Sequence, residues 1–113
     1  MRYMFLLYAE ESDEPPTPEA MTPWMEFGAY AETVAKSDGG EPLQPGATAT
    51  VVSVRDGKTI TTDGPFVDTK EQLGGYYIFD CDNLDIALDL AARIPLAPYG
   101  HVEVRPIMEI PTG

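Results

Sequence analysis

The chain is poor in the residues on which most chemistry depends. Its 113 residues hold one cysteine, one histidine and one tryptophan, with seven Lys and Arg against nineteen Asp and Glu. The lone Cys81 excludes an internal disulfide and fits a reducing compartment. It ends an apolar segment, the setting of a small buried hydrophobe. One histidine and one cysteine leave no cluster with metal-ligand spacing, so no metal or other cofactor is expected. A net charge of −12 repels phosphate backbones and anionic lipid, which removes nucleic acid and membrane from the expected partners. Long apolar runs are missing as well. The N-terminal run 3–9 is far shorter than the ~20 residues a bilayer requires, and it passes directly into Glu10 and Glu11 without a cleavage-site pattern. These traits together predict a cytoplasmic protein. Gly74-Gly75 leads into a strand instead of a helix, so it is not a phosphate loop, and no serine-nucleophile pattern or repeat is found.

What remains is a chain able to fold on its own. It is 43% hydrophobic with four Phe and six Tyr, and its length suits one domain, residues 1–113. Residues 2–9 read as a strand with two apolar faces, Tyr3, Phe5 and Leu7 against Met4, Leu6 and Tyr8. Thr17-Pro18-Glu19 carries the cap, first-turn proline and acid of a helix start, and Pro23 is expected to kink or split that helix. Trp24, Phe27, Ala31 and Val34 give it an apolar stripe, and residues 37–40 are expected to end it. Residues 41–46, broken by Pro42 and Pro45, are at best an edge strand. Asp56-Gly57 marks a hairpin between 47–55 and 58–62. Residues 73–81 form another strand, with Tyr76 and Ile78 opposite Tyr77 and Phe79. Asp82 is expected to open a second, largely buried helix whose polar stripe is Asp85, Asp89 and Arg93, stopped by Pro95 and Pro98. Residues 102–107 are the last strand, followed by a short tail, 111–113.

This order predicts an α+β fold, a ferredoxin-like βαββαβ sandwich with two helices on one face of an antiparallel sheet. Two helices cover one face only, yet the first strand and 73–81 are apolar on both. A second copy is the cheapest cover, and burying ~600 to 1,000 Å² per subunit at about 25 cal/mol per Å² is worth many kcal/mol before association costs. A homodimer with a cavity between sheet and loops is expected.

The most informative stretch is 62–75, Thr-Asp-Gly-Pro-Phe-Val-Asp-Thr-Lys-Glu-Gln-Leu-Gly-Gly, which surrounds a fixed turn with ionisable side chains and enters a strand. It resembles the signature of the DGPF branch of the YCII-related family, with Asp68 where that pattern usually has Glu. The resemblance extends to the opening strand, to Gly40-Glu41-Pro42-Leu43, to the hairpin 51–63 and to residues 102–106. It implies the fold of the dimeric α+β barrel superfamily, related to muconolactone isomerases and small monooxygenases. It also implies an accessory role beside extracytoplasmic-function sigma factors. Relatives are thought to use a His-Asp pair reached from the first helix region. No histidine precedes residue 101 here, so that pair is not carried over.

Several side chains are candidates for chemistry, each with a plainer alternative. Asp63 is either a general base or a cap on its own turn. Lys70 either binds an anion or forms a surface ion pair, and Glu71 is either a proton acceptor or a partner in such a pair. In an extended segment these two neighbours point to opposite sides, so one of them is expected to face the cavity. His101 is either a proton shuttle or an exposed loop residue. Glu103 and Arg105, facing away from Val102 and Val104, either hold a carboxylate ligand or bridge two subunits. Tyr8 with Tyr76 or Tyr77 supplies either cavity wall and hydroxyls or interface packing. Two functions follow. One is a cofactor-independent lyase or isomerase acting on a small organic anion by proton transfer. The other is a non-catalytic ligand-binding or dimerisation module.

Overall fold

The computed structural model describes residues 1–112; Gly113, the last residue of the expected tail, lies outside them. The first strand, β1 (Arg2–Glu10), alternates buried Tyr3, Phe5 and Leu7 with half-buried Met4, Leu6 and Tyr8. Helix α1 (Pro18–Val34) starts where the sequence places it, with the Thr17 hydroxyl accepting from the Ala20 N–H at 3.2 Å. Pro23 does not split it. Its missing N–H falls early in the helix, where only one carbonyl in the first turn loses a partner.

The end of α1 differs from expectation. A single extended residue, Ala35, separates it from strand β2 (Lys36–Pro42), so 37–40 are strand and not helix terminator, and the edge strand lies earlier than 41–46. Glycine makes this possible. Gly40 (φ +154°) sits so close to β5 (Glu71–Asp80) that a Cβ would come within 2.8 Å of the Tyr76 carbonyl oxygen. Strands β3 (Thr50–Arg55) and β4 (Lys58–Asp63) form the expected hairpin, and both turn residues have positive φ, Asp56 at 51° and Gly57 at 75°. Helix α2 (Leu84–Ala92) is capped by Asn83 instead of Asp82, its side chain accepting from the Ile86 N–H at 2.9 Å. One face of α2 is buried, while Leu84 and Leu88 remain exposed. Strand β6 (His101–Pro106) completes the chain's regular structure.

The four long strands pair antiparallel in the order β2-β5-β1-β6. This is the ferredoxin-like arrangement, and the fold is α+β. The hairpin β3–β4 stands outside that sheet as a separate two-stranded piece, so β2 and not a hairpin strand supplies the second strand of the βαββαβ unit. Both helices cover the face carrying Phe5, Leu7, Tyr77 and Phe79. Phe5 and Phe79 meet edge to face at 5.4 Å, and Phe27 of α1 packs against Phe79 at 6.1 Å. Phe5, Leu90, Ile94 and Cys81 are fully buried, and each of the three larger side chains contributes about 1.5–3 kcal/mol by leaving water. The opposite face has no cover from its own chain among the described residues.

Candidate functional site

The uncovered face collects most of the side chains singled out in the sequence. Register explains how. Tyr8 lies opposite both Leu73 and His101, while Leu6 lies opposite both Tyr76 and Glu103. Strict alternation along β5 would put Glu71 with Tyr77, towards the helices. The register shifts between Leu7 and Tyr8, where Gly74 is the extra residue of a bulge, and this returns Leu73 and Glu71 to the face of Tyr76.

There Glu71 meets His101. The ring Nδ1 lies 2.7 Å from one carboxylate oxygen and 2.9 Å from the other. A carboxylate accepts and cannot donate, so the bond holds the proton on Nδ1 and leaves Nε2 with its lone pair free. Glycine at position 100 lets the chain pass hard against β1, since a Cβ there would collide with the Tyr8 carbonyl and with Leu96. Lys70 is drawn to the same place, its ammonium 3.2 Å from Glu10. Lys70 precedes the first residue of β5, in a bend, so the rule that neighbours on a strand diverge does not apply, and both Lys70 and Glu71 line one cavity. That cavity has a volume of about 640 Å³ and opens to solvent between Glu10, Lys70, Glu71, Tyr99 and His101. A second hollow of about 470 Å³ shares Glu10 and Lys70 and extends to Glu11, Pro65 and Asp68.

Four side chains given no role by the sequence contribute. Glu10 partners Lys70. Tyr99, largely exposed, forms part of the cavity wall. The Gln72 amide donates to the Thr69 carbonyl at 2.5 Å, and the Thr69 hydroxyl donates to the Glu71 carbonyl at 2.6 Å, tying the segment ahead of β5 into one shape. The Gln72 and Thr69 bonds are local, whereas Glu10 and Tyr99 join the cavity through strand pairing, which no composition or spacing signal marks.

Other candidates lie apart. Glu103 and Arg105 share the face of His101 and contact each other; Glu103 Oε2 is shielded from solvent, and its contact with Arg105 is charge attraction without hydrogen-bond geometry. Tyr8 is the cross-strand neighbour of His101, and Tyr76 sits one register position farther along, beyond the bulge. Asp63 ends β4 opposite Thr50, lines neither cavity, and makes no side-chain bond to its own turn among the described residues. Phe66, the third residue of the following loop, is 85% exposed and plugs nothing. Among the described residues no group of three His, Cys, Asp or Glu side chains is arranged to hold a metal ion, and no helix is long and apolar enough to cross a membrane.

Displaced titration is found on other elements. The Arg93 guanidinium, 2.9 Å from Asp89 and stacked over Tyr30, holds the Asp89 carboxyl below its usual range, aided by the Tyr30 hydroxyl. Arg2 does the same for Glu109. Burial pushes the Cys81 thiol and the Tyr77 phenol up.

Comparison with known proteins adds a lineage to this geometry. A protein of Rhizobium meliloti (strain 1021), named only as uncharacterised, is 46% identical over 67 residues. That alignment covers 58% of this chain and 54% of the relative, so the match spans about half the relative's length. The family model for the YCII-related domain matches residues 1–111, from the strand that carries Tyr8 past the one that carries His101. The chain therefore belongs to the YCII-related family.

Proposed function

We propose that this protein is a homodimeric, cofactor-independent enzyme that moves a proton on a small organic anion, as a lyase or isomerase does. The hydrogen bond between Glu71 and His101 at the mouth of the cavity carries this reading. In it, His101 Nε2 removes a proton from carbon beside the substrate's carbonyl or carboxylate, and Glu71 stabilises the imidazolium that forms. Returning that proton to a different atom completes an isomerisation; giving it to a departing group completes an elimination. Lys70 supplies the positive charge for the anion. Its pair with Glu10 is exposed on both sides, and such pairs are worth about 0–1 kcal/mol, so a substrate carboxylate displaces it at little cost. Tyr8, Tyr76, Glu103 and Arg105 line neither cavity and, on the same sheet face, would meet only a ligand that extends beyond it. Asp63 remains a candidate only if its loop moves towards the cavity, and the base role is better served by His101.

The dimer part of the proposal rests on the uncovered sheet face, where Met4, Leu6, Tyr76 and Ile78 stay half-buried outside the helix-covered core. A free buried thiol suits a reducing, cytoplasmic setting. A second reading, a non-catalytic ligand-binding or dimerisation module, draws support from one observation. Lys70 and Arg105 already occupy ion pairs, with Glu10 and Glu103. The link of such a module to sigma factors comes from the family resemblance alone.

A thermal-shift screen against small mono- and dicarboxylates, followed by proton NMR of any stabilising compound in D₂O, separates these readings. The enzyme reading expects protein-dependent deuterium uptake at a carbon beside the carbonyl, lost in His101→Asn and weakened in Glu71→Gln and Lys70→Ala. Binding without uptake leaves the module, and no binding at all removes the enzyme.

A further inference from the structure

The hairpin β3–β4 is an anomaly that the proton-transfer site does not use. An isolated two-stranded hairpin is marginal in water, and this one pairs with no strand of the main sheet. Nevertheless its outward face presents Val52 and Val54 at 60% and 58% exposure, with Ile60 exposed on the other side. The loop that leaves it adds Phe66 and Val67. The molecule is correspondingly spread out. Its extents are 49 × 46 × 19 Å and its radius of gyration 16.3 Å, against about 13 Å for a compact chain of this length.

Charge points the same way. Arg2, Lys70, Arg93 and Arg105 each lie within 4.0 Å of a carboxylate. Among the described residues Lys36, Arg55 and Lys58 have no carboxylate that near, and two of these three, Arg55 and Lys58, flank the hairpin turn. Even with Asp56 between them, the two bases leave the tip net cationic on a strongly anionic protein, and the nearest abundant complement to it is the acidic surface of another copy.

We infer that residues 50–67 form an arm that packs against a second copy of this chain, its valines on apolar surface and its tip among carboxylates. The arm adds to the sheet-face contact of the proposed dimer and rests on that reading; two copies exchanging arms bury both hairpins reciprocally. Strands rich in Thr and Val keep the arm extended until it docks.

Sedimentation of the wild type, of Val52→Thr with Val54→Thr, and of Arg55→Glu with Lys58→Glu tests this, with Leu6→Asp as the sheet-face control. Threonine keeps strand preference, so the hairpin persists. The arm predicts that both double variants raise the dimer dissociation constant at least tenfold. It also predicts that hairpin amides of the wild type gain hydrogen-exchange protection as concentration rises through the dimer transition. Wild-type-like dimers of both double variants, with hairpin amides unprotected at full dimerisation, overturn the arm and leave the sheet-face dimer intact. A dimeric Leu6→Asp beside dissociated arm variants overturns the sheet face and keeps the arm. A wild type monomeric throughout the concentration range overturns both.

Discussion

Glu71 and His101 bond to each other across a strand to which neither belongs. Their strands, β5 and β6, lie on either side of β1, and the two side chains reach over its far end to within 2.7 Å. The pair therefore reports on the register of three strands at once, and a slip of one residue in any of them would separate it.

The bond makes the histidine's tautomer a measurable quantity. Nitrogen-15 NMR of the imidazole in wild-type protein is expected to show the Nδ1–H form. In Glu71→Gln the population moves towards the Nε2–H form, with a stability loss below about 1 kcal/mol because the histidine side of the pair is largely exposed. Identical tautomer populations in the two proteins would show that the carboxylate does not orient the ring.

Two glycines should respond to alanine in opposite directions. Gly100→Ala drives a methyl into the Tyr8 carbonyl and Leu96, an overpacking expected to cost about 1–3 kcal/mol or more and to displace His101. Gly28 lies inside α1 with nothing within 4 Å of the added carbon, so Gly28→Ala is expected to stabilise by roughly 0.5–1 kcal/mol. Chemical denaturation of both variants checks the signs, and a destabilised Gly28→Ala would count against the packing described for that helix.

Cys81 is fully buried and its thiol is pushed up, chiefly by burial with added repulsion from Asp80. A disulfide exchange reagent at neutral pH is expected to label the native protein no faster than the chain opens, and to label it at once in denaturant. Rapid labelling of native protein would place the thiol at the surface.

Asp89 and Glu109 titrate below their ordinary ranges when folded, so the unfolded chain binds more protons than the folded one as acid is added. Their contribution is complete above the ordinary carboxylate range and disappears as pH falls through it towards the folded values. Melting temperatures between pH 6 and pH 3 should drop less steeply in Asp89→Asn and in Glu109→Gln than in wild type. Parallel profiles would mean that the Arg93 and Arg2 pairs are broken in solution. Both sites are exposed, so the effect is small.

Local signals in the sequence carried much of the architecture. Asp56-Gly57 specifies a turn with positive φ at both positions, and Thr17-Pro18 specifies a helix start, whatever the rest of the chain does. Val102 and Val104 facing the helices sufficed to place Glu103 and Arg105 on the other side. Glu71 is the instructive opposite. Its side of the sheet depends on one inserted residue, and the only local hint of it is a glycine inside an apolar strand. Its meeting with His101 depends on pairings between distant segments, which no periodicity encodes. The edge strand begins earlier than its composition suggests for a related reason, since Ser37-Asp38-Gly39-Gly40 has the composition of a loop and becomes strand only because β5 offers it hydrogen bonds.

The central position of β1 has a cost in time. Its neighbours β5 and β6 follow it by about 60 to 100 residues, and at roughly 5–20 residues per second a ribosome takes on the order of 3 to 20 s to deliver them. Until β5 arrives a strand greasy on both sides waits without a mate, and until β6 arrives one of its edges stays open, so a newborn copy is a natural client for chaperones, and its capture should fall in two steps as β5 and then β6 become available.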